Sequence, residues 1–155
     1  MFFRRTATFL RRYPWIMACA YTLIHLWQPK YTLGVVGVMF NAEGQVLLVE
    51  HVFHPRKPWG LPGGWVERNE PPMEAVCREI QEELQLNTDI GSLLLIEITE
   101  GNHLDIAYLC YPMGNIGTLS NELLDYRWFA PSNLPLLTGF HYRAIQRALA
   151  INRTN

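Results

Sequence analysis

Three carboxylates crowd one short stretch of this chain: Glu79, Glu82 and Glu83 in REIQEEL. Residues three and four apart lie on one side of a helix. Like charges that close repel, and nothing local requires them. A hard divalent cation removes the repulsion. Mg²⁺ takes oxygen donors, keeps several waters and bridges carboxylates to substrate phosphates. The chemistry that suits the cluster is therefore metal-assisted work on a phosphate. The competing reading is a solvated helix face, because Glu is a good helix former. Arg78 stands four residues before Glu82, where it can orient the acids by charge-assisted hydrogen bonds.

Positioning such a cluster takes a helix and a turn ahead of it. Pro71-Pro72 open the helix, since a first-turn proline loses no needed N–H. Met73, Val76, Ile80 and Leu84 form an apolar stripe beside the acids, and small Ala75 falls on the acidic side. The turn is Leu61-Pro62-Gly63-Gly64, whose glycines let backbone approach closely enough for the Gly64 carbonyl to serve as a donor. Upstream, Leu33 to Phe40 reads as a buried strand, residues 41–44 as a turn, and Gln45 to Phe53 as a second strand completing a hairpin. His51, Phe53, His54, Arg56 and Lys57 then lead to Pro58-Trp59-Gly60. This basic loop either contacts substrate phosphates or is a solvated connection. Downstream, Ser92 to Thr99 and Leu104 to Tyr111 read as strands joined by a turn at residues 100–103. Residues 112–120 form a loop and Asp125 to Ala130 a short strand. Thr138 caps a last helix reaching about Asn152, with Tyr142, Ile145 and Leu149 inward and Arg143 and Arg147 solvated. Strands interleaved with helices support an α/β or α+β domain.

Around the cluster the chain resembles the Nudix hydrolase family, whose signature is G-x5-E-x7-R-E-U-x-E-E-x-G-U, with U a bulky apolar residue. Here it reads Gly64, Glu70, Arg78, Glu79, Ile80, Glu82, Glu83, Gln85, Leu86. The six fixed Gly, Glu and Arg matches arise by chance at roughly 10⁻⁷ per start position. Gln85 stands where the signature has its last Gly. A residue just past a helix end commonly adopts the left-handed conformation, which costs a non-glycine residue about 1 kcal/mol. Asn87 offers an alternative helix stop, and Gln85→Gly is expected to stabilise the fold. Asn69, before Glu70, can serve a left-handed turn.

The resemblance implies an α/β/α sandwich around a mixed β-sheet. It also implies Mg²⁺-dependent hydrolysis of a diphosphate linkage in a nucleoside diphosphate joined to another moiety, with Mn²⁺ as a substitute metal. Glu82, Glu83 and the Gly64 carbonyl would hold metal, Glu79 would be a further ligand or the base, and Arg78 would orient them. Gly63 and Glu70 would be structural, Glu70 fixing loop to helix. Relatives sometimes carry the base on a loop outside the signature, which makes Glu122 and Glu100 alternatives. Arg56, Lys57 and Trp59 are candidates for substrate binding, and Trp59, Trp65, Tyr108 and Trp128 for stacking on a ring. A non-catalytic Nudix-fold module that senses a nucleotide or recruits a partner is the other reading, although such a module would not need the complete acidic set. Many relatives are dimers; this sequence carries no direct sign of a homodimer.

Composition bounds the partners. The formal net charge is −1, and no basic track argues for nucleic acid. Residues 1–30 hold Arg4, Arg5, Arg11, Arg12 and Lys30 with no acid, leaving eight basic against fourteen acidic residues in the rest. An acidic domain that binds polyphosphate needs a metal between them. The expected division is a basic, apolar helical segment at 1–29 and a catalytic domain at 30–155. The segment docks on its domain, contacts a membrane surface or partner, or serves export; it is too short to span a bilayer. Cys19, Cys77 and Cys110 have no metal or disulfide spacing and suggest a reducing cytoplasm.

Overall fold

The computed structural model describes residues 11–53 and 56–152. The chain divides into two compact units, Met1–Lys30 and Tyr31–Asn155. In the first, helix α1 spans Pro14–Trp27, with proline in its first turn and none of its side chains buried.

The second unit is built on strands whose successive residues point to opposite sides. β1 (Thr32–Val38), β4 (Gly63–Trp65), β5 (Asn87–Ile98) and β6 (His103–Met113) form one sheet in the order β4-β1-β6-β5. β1 and β6 are parallel and the other pairs antiparallel, so this sheet is mixed. β3 (Trp59–Gly60), β2 (Val46–His51) and β7 (Leu123–Phe129) form a second, antiparallel sheet. Alternation sorts the apolar residues into two cores. Val35, Leu47, Val49, Ile106 and Cys110 pack with Ala75, Val76, Ile80 and Leu84 of helix α2 (Pro72–Leu84). Val36, Val38, Val46, Leu48, Ala107 and Leu109 pack with Phe140, Ala144, Ile145 and Ala148 of helix α3 (Gly139–Asn152). Strands thus lie between two helical layers, the expected α/β/α sandwich.

Four local expectations are corrected. β1 and β2 are joined by hairpin bonds only next to the turn, where Asn41 N–H donates to the Gln45 carbonyl and Leu47 N–H to the Met39 carbonyl, and do not pair along their length. They share a bridge at Phe40 and Val46 and then enter different sheets, each with residues facing both cores. Ala75 is fully buried and Met73 exposed, because α2 is rotated so that its inward stripe runs through residues 75, 76, 80, 83 and 84. Tyr142 is exposed while Phe140 and Ala144 take the inward places. β3 and β4, at two and three residues, are too short to show a period. Arg143 is exposed as expected, with its Nε donating to Glu97 at 2.9 Å. Thr138 does cap α3, its Oγ1 accepting from the His141 N–H at 3.3 Å.

Candidate active site

The glycine turn is shaped by contacts that no other residue permits. Gly63 has φ +146°, and a Cβ there would lie 2.0 Å from the Val35 carbonyl oxygen. A Cβ on Gly64 would meet the Glu79 carboxyl group at 2.5 Å. The turn therefore lies directly on α2, with its backbone against the acids. The Gly63 N–H donates to Glu83 Oε2 at 3.0 Å.

Arg78 ties the acids on the other flank. Its Nε and Nη2 donate to the two oxygens of Glu70 at 2.8 and 2.9 Å. Its Nη2 also reaches the Trp65 carbonyl at 3.0 Å, and Nη1 reaches Glu79 Oε1 at 2.9 Å and Glu82 Oε2 at 3.3 Å. Bidentate pairing of this kind fixes geometry as well as charge. Asn69 takes φ 64° just before Glu70, the left-handed turn expected of it.

These surroundings drive the carboxylates apart electrostatically. The Arg78 guanidinium, joined by the Glu67 N–H, holds Glu70 down at about 2. Burial pushes Glu83 up to about 8, with the nearby charges of Glu79, Glu122 and Glu82 adding to the rise against the Gly63 N–H. Burial raises Glu79 as well, against the pull of Arg78. Glu83 is 6 % exposed, the buried charged residue of the described core, whereas the Glu82 side chain is 61 % exposed. The acids run from the interior outwards along one helix face.

They open into a cleft of about 760 Å³, within the usual range for small-molecule sites. Gly63, Gly64, Glu79, Glu82, Glu83 and Glu122 line it, as do Lys57, Trp59 and Trp65. Glu122 arrives on a loop that is fastened to the end of α2: Gly117 N–H donates to the Leu84 carbonyl and Ser120 N–H to the Glu83 carbonyl. Glu100 lies instead in a single 3₁₀ turn, Glu100–Asn102, and neither it nor Arg56 is among the cleft-lining residues. Of the aromatic candidates, Trp65 lies tilted against His103 with ring centres 4.7 Å apart and Trp59 sits edge-on to Phe129. Tyr108 is buried, and Trp128 packs on the core.

Sequence reasoning placed His51 at the start of the basic loop and missed His103 and His141. His51, His103 and His141 all line the cleft. His141 Nδ1 accepts from the Leu61 N–H at 3.2 Å, which puts any proton of the neutral ring on Nε2. His103 Nε2 lies 3.1 Å from Asp105 Oδ1. They arrive on β2, β6 and α3, and no spacing in the chain announces that they share a cleft.

A family model for the NUDIX domain matches residues 30–148. The chain belongs to the Nudix family. An ADP-ribose pyrophosphatase from Methanocaldococcus jannaschii is 30 % identical over 120 residues, covering 74 % of this chain and 70 % of that one. The 8-oxo-dGDP phosphatase NUDT18 of Homo sapiens is 30 % identical over 65 % of this chain, which spans 33 % of the human protein's length. Among solved structures, a MutT NUDIX hydrolase from Burkholderia pseudomallei is 30 % identical with a TM-score of 0.67, covering 77 % of this chain and 98 % of that one. This Nudix protein is a hydrolase of the diphosphatase or pyrophosphohydrolase type.

Proposed function

We propose that this Nudix hydrolase is a divalent-metal-dependent diphosphatase. Its substrate is a nucleoside diphosphate joined through its pyrophosphate bridge to another group. The observation that carries the reading is the stacking of the Gly63-Gly64 turn on Glu79 and Glu83, with Glu82 and Glu122 facing the same cleft. The donors are all hard oxygens, and a buried carboxylate with its basicity raised is a strong ligand for a small cation. Among the described residues no three His, Cys, Asp or Glu side chains are already gathered in ligating geometry; the chemistry of the donors is what fits. Glu82, Glu83 and the Gly64 carbonyl would hold Mg²⁺, or Mn²⁺ in its place, with Glu79 either a further ligand or the base; the metal neutralises phosphate charge when bound.

The chain's own groups do the rest. Arg78 fixes Glu79 at Oε1; in the role of base, Glu79 would take a proton from water at Oε2. Glu122 lines the same cleft and is the second candidate base. Lys57 brings positive charge to the rim, where it can pair with a phosphate oxygen. Trp59 and Trp65 offer aromatic surface for the group beyond the phosphates. The two relatives act on an ADP-ribose and an oxidised deoxynucleotide by name, so the panel to test spans nucleotide sugars and nucleoside di- and triphosphates. The three free cysteines support a reducing, cytoplasmic setting.

The deciding experiment incubates the protein with that panel under Mg²⁺ or Mn²⁺ and reads mononucleotide or phosphate release. Cleavage of at least one compound is expected, and Glu82→Gln should lower its turnover by on the order of a hundredfold with the fold intact. Nucleotide binding with no release under either metal would replace catalysis with nucleotide sensing.

A further inference from the structure

Helix α1 contributes no side chain to a core. Trp15 is 63 % exposed and Trp27 94 %, and Met17, Leu23, Ile24 and Leu26 are exposed with them. Projected at roughly 100° per residue, these six residues span an arc of about 200°. The remaining strip, about 160° wide, is weakly polar. Tyr21 and His25 meet there edge to face at 4.4 Å, and Thr22 Oγ1 turns back on the Ala18 carbonyl at 2.9 Å. No charged residue stands on the helix. Arg11 and Arg12 precede it and Lys30 follows, and residues 1–30 carry five basic residues and no acid.

Three surfaces could cover such a helix: its own domain, a second copy, or a lipid bilayer. A protein groove takes a stripe of about 100° and leaves a charged outer face in water. Here the apolar arc is twice that width and the outer face has no charge. The helix cannot cross a membrane, since fourteen residues reach about 21 Å against an apolar thickness of about 30 Å. Among the described residues no helix is long and apolar enough to do so. What fits is a helix lying in the bilayer interface, apolar arc down and Tyr21–His25 strip up. Tryptophans near both ends suit the headgroup layer. Arginines and a lysine beyond the ends can reach lipid phosphates.

We propose that α1 and its flanking basic residues bind the surface of an anionic bilayer, seating the enzyme peripherally on it. The acidic character of the remainder, with fourteen acids against eight bases, keeps the catalytic unit off the same surface, so attachment is local to the segment.

The test is flotation of the full-length protein with vesicles of phosphatidylcholine alone or doped with phosphatidylglycerol. Association is expected with the doped vesicles, on the order of tenfold tighter than with the neutral ones and weakened by salt. The double variant Leu23→Asp/Ile24→Asp should abolish it. His25→Gln, on the polar strip, should leave it unchanged, and both residues of the double variant are exposed, so thermal melts should match the parent. Failure to float with doped vesicles overturns the proposal, as does binding that ignores lipid charge and salt. Slow amide exchange across residues 14–27 in vesicle-free protein overturns it in favour of docking on the domain. A dimer dissolved by the double variant overturns it in favour of a second copy. None of these readouts depends on the enzyme's substrate.

Discussion

Glu70 and Glu83 belong to one motif and carry the same side chain, but their surroundings differ. Glu70 sits at the loop–helix junction with both oxygens on Arg78. Glu83 is sealed between α2 and the Gly63 turn, with the Gly63 N–H on one oxygen and like charges around it. One is held at about 2 and the other raised to about 8. The difference separates two jobs. A carboxylate whose charge is answered by a guanidinium fastens the structure and has little left to offer a cation. A buried carboxylate without that partner retains its demand for positive charge, which a bound metal would meet on the proposed reading.

The strongest way to break the contrast is to remove the seal. Gly63→Ala puts a Cβ 2.0 Å from a backbone oxygen at a left-handed φ. Backbone cannot give way as a side-chain tip can, so the variant should lose several kcal/mol, about enough to unfold a domain of this size. A denaturation midpoint within experimental error of the parent would mean the turn is not seated as described. Next is Glu83→Gln, which keeps shape and the Gly63 hydrogen bond but removes the buried charge. Turnover should fall by on the order of a hundredfold or more, while melting temperature without metal holds or rises, because an uncompensated buried carboxylate is costly. A marked drop in melting temperature would make Glu83 a structural residue like Glu70.

Glu70→Gln should give a smaller loss of turnover, roughly tenfold, through a loosened Arg78, together with a lower melting temperature. The pH dependence sharpens the distinction. Glu70 titrates lower in the folded state, about 2, than in the unfolded chain, 4.5. Its contribution is therefore fully present above the unfolded value and is lost as pH falls from there through about 2. The gap between parent and variant melting temperatures should be constant at neutral pH and close in acid. A gap that persists undiminished to pH ~2 would show that the Arg78 pair is not its source.

What could be read from sequence follows the reach of each signal. Glu79, Glu82, Glu83, Arg78 and the glycine turn are close in the chain, and helical spacing alone gathers them. The apolar strands were legible as strands because their runs are apolar and rich in valine. Their partners were not, since Val35 and Val36 are both apolar and face different cores, leaving no polar side to assign a sheet. The rotation of α2 was misjudged for a related reason: Glu83 reads as a surface residue, and its burial depends on a turn twenty residues away. His51, His103 and His141 reach one cleft only through the packing of distant elements.

Gln85 tests how finely the comparison cuts. It is the C-terminal cap of α2, with φ 48° and ψ 38°, so the helix stops there and Asn87 begins β5. Considered alone, the strain favours glycine by about 1 kcal/mol. The structure adds an opposing effect: Gln85 Oε1 accepts from the Thr118 N–H at 3.2 Å, on the loop that brings Glu122 to the cleft. Losing that bond costs about 1 kcal/mol, and glycine also adds freedom to the unfolded chain. Gln85→Gly should therefore change stability by less than about 1 kcal/mol rather than stabilise outright. Its signature should be faster amide exchange at Thr118, with Glu83 chemistry intact and turnover lowered only as far as Glu122 takes part. If turnover falls as steeply in Gln85→Gly as in Glu122→Gln, the loop's position and the Glu122 carboxylate are one functional unit. If exchange at Thr118 quickens and turnover stays whole, proton transfer rests with Glu79.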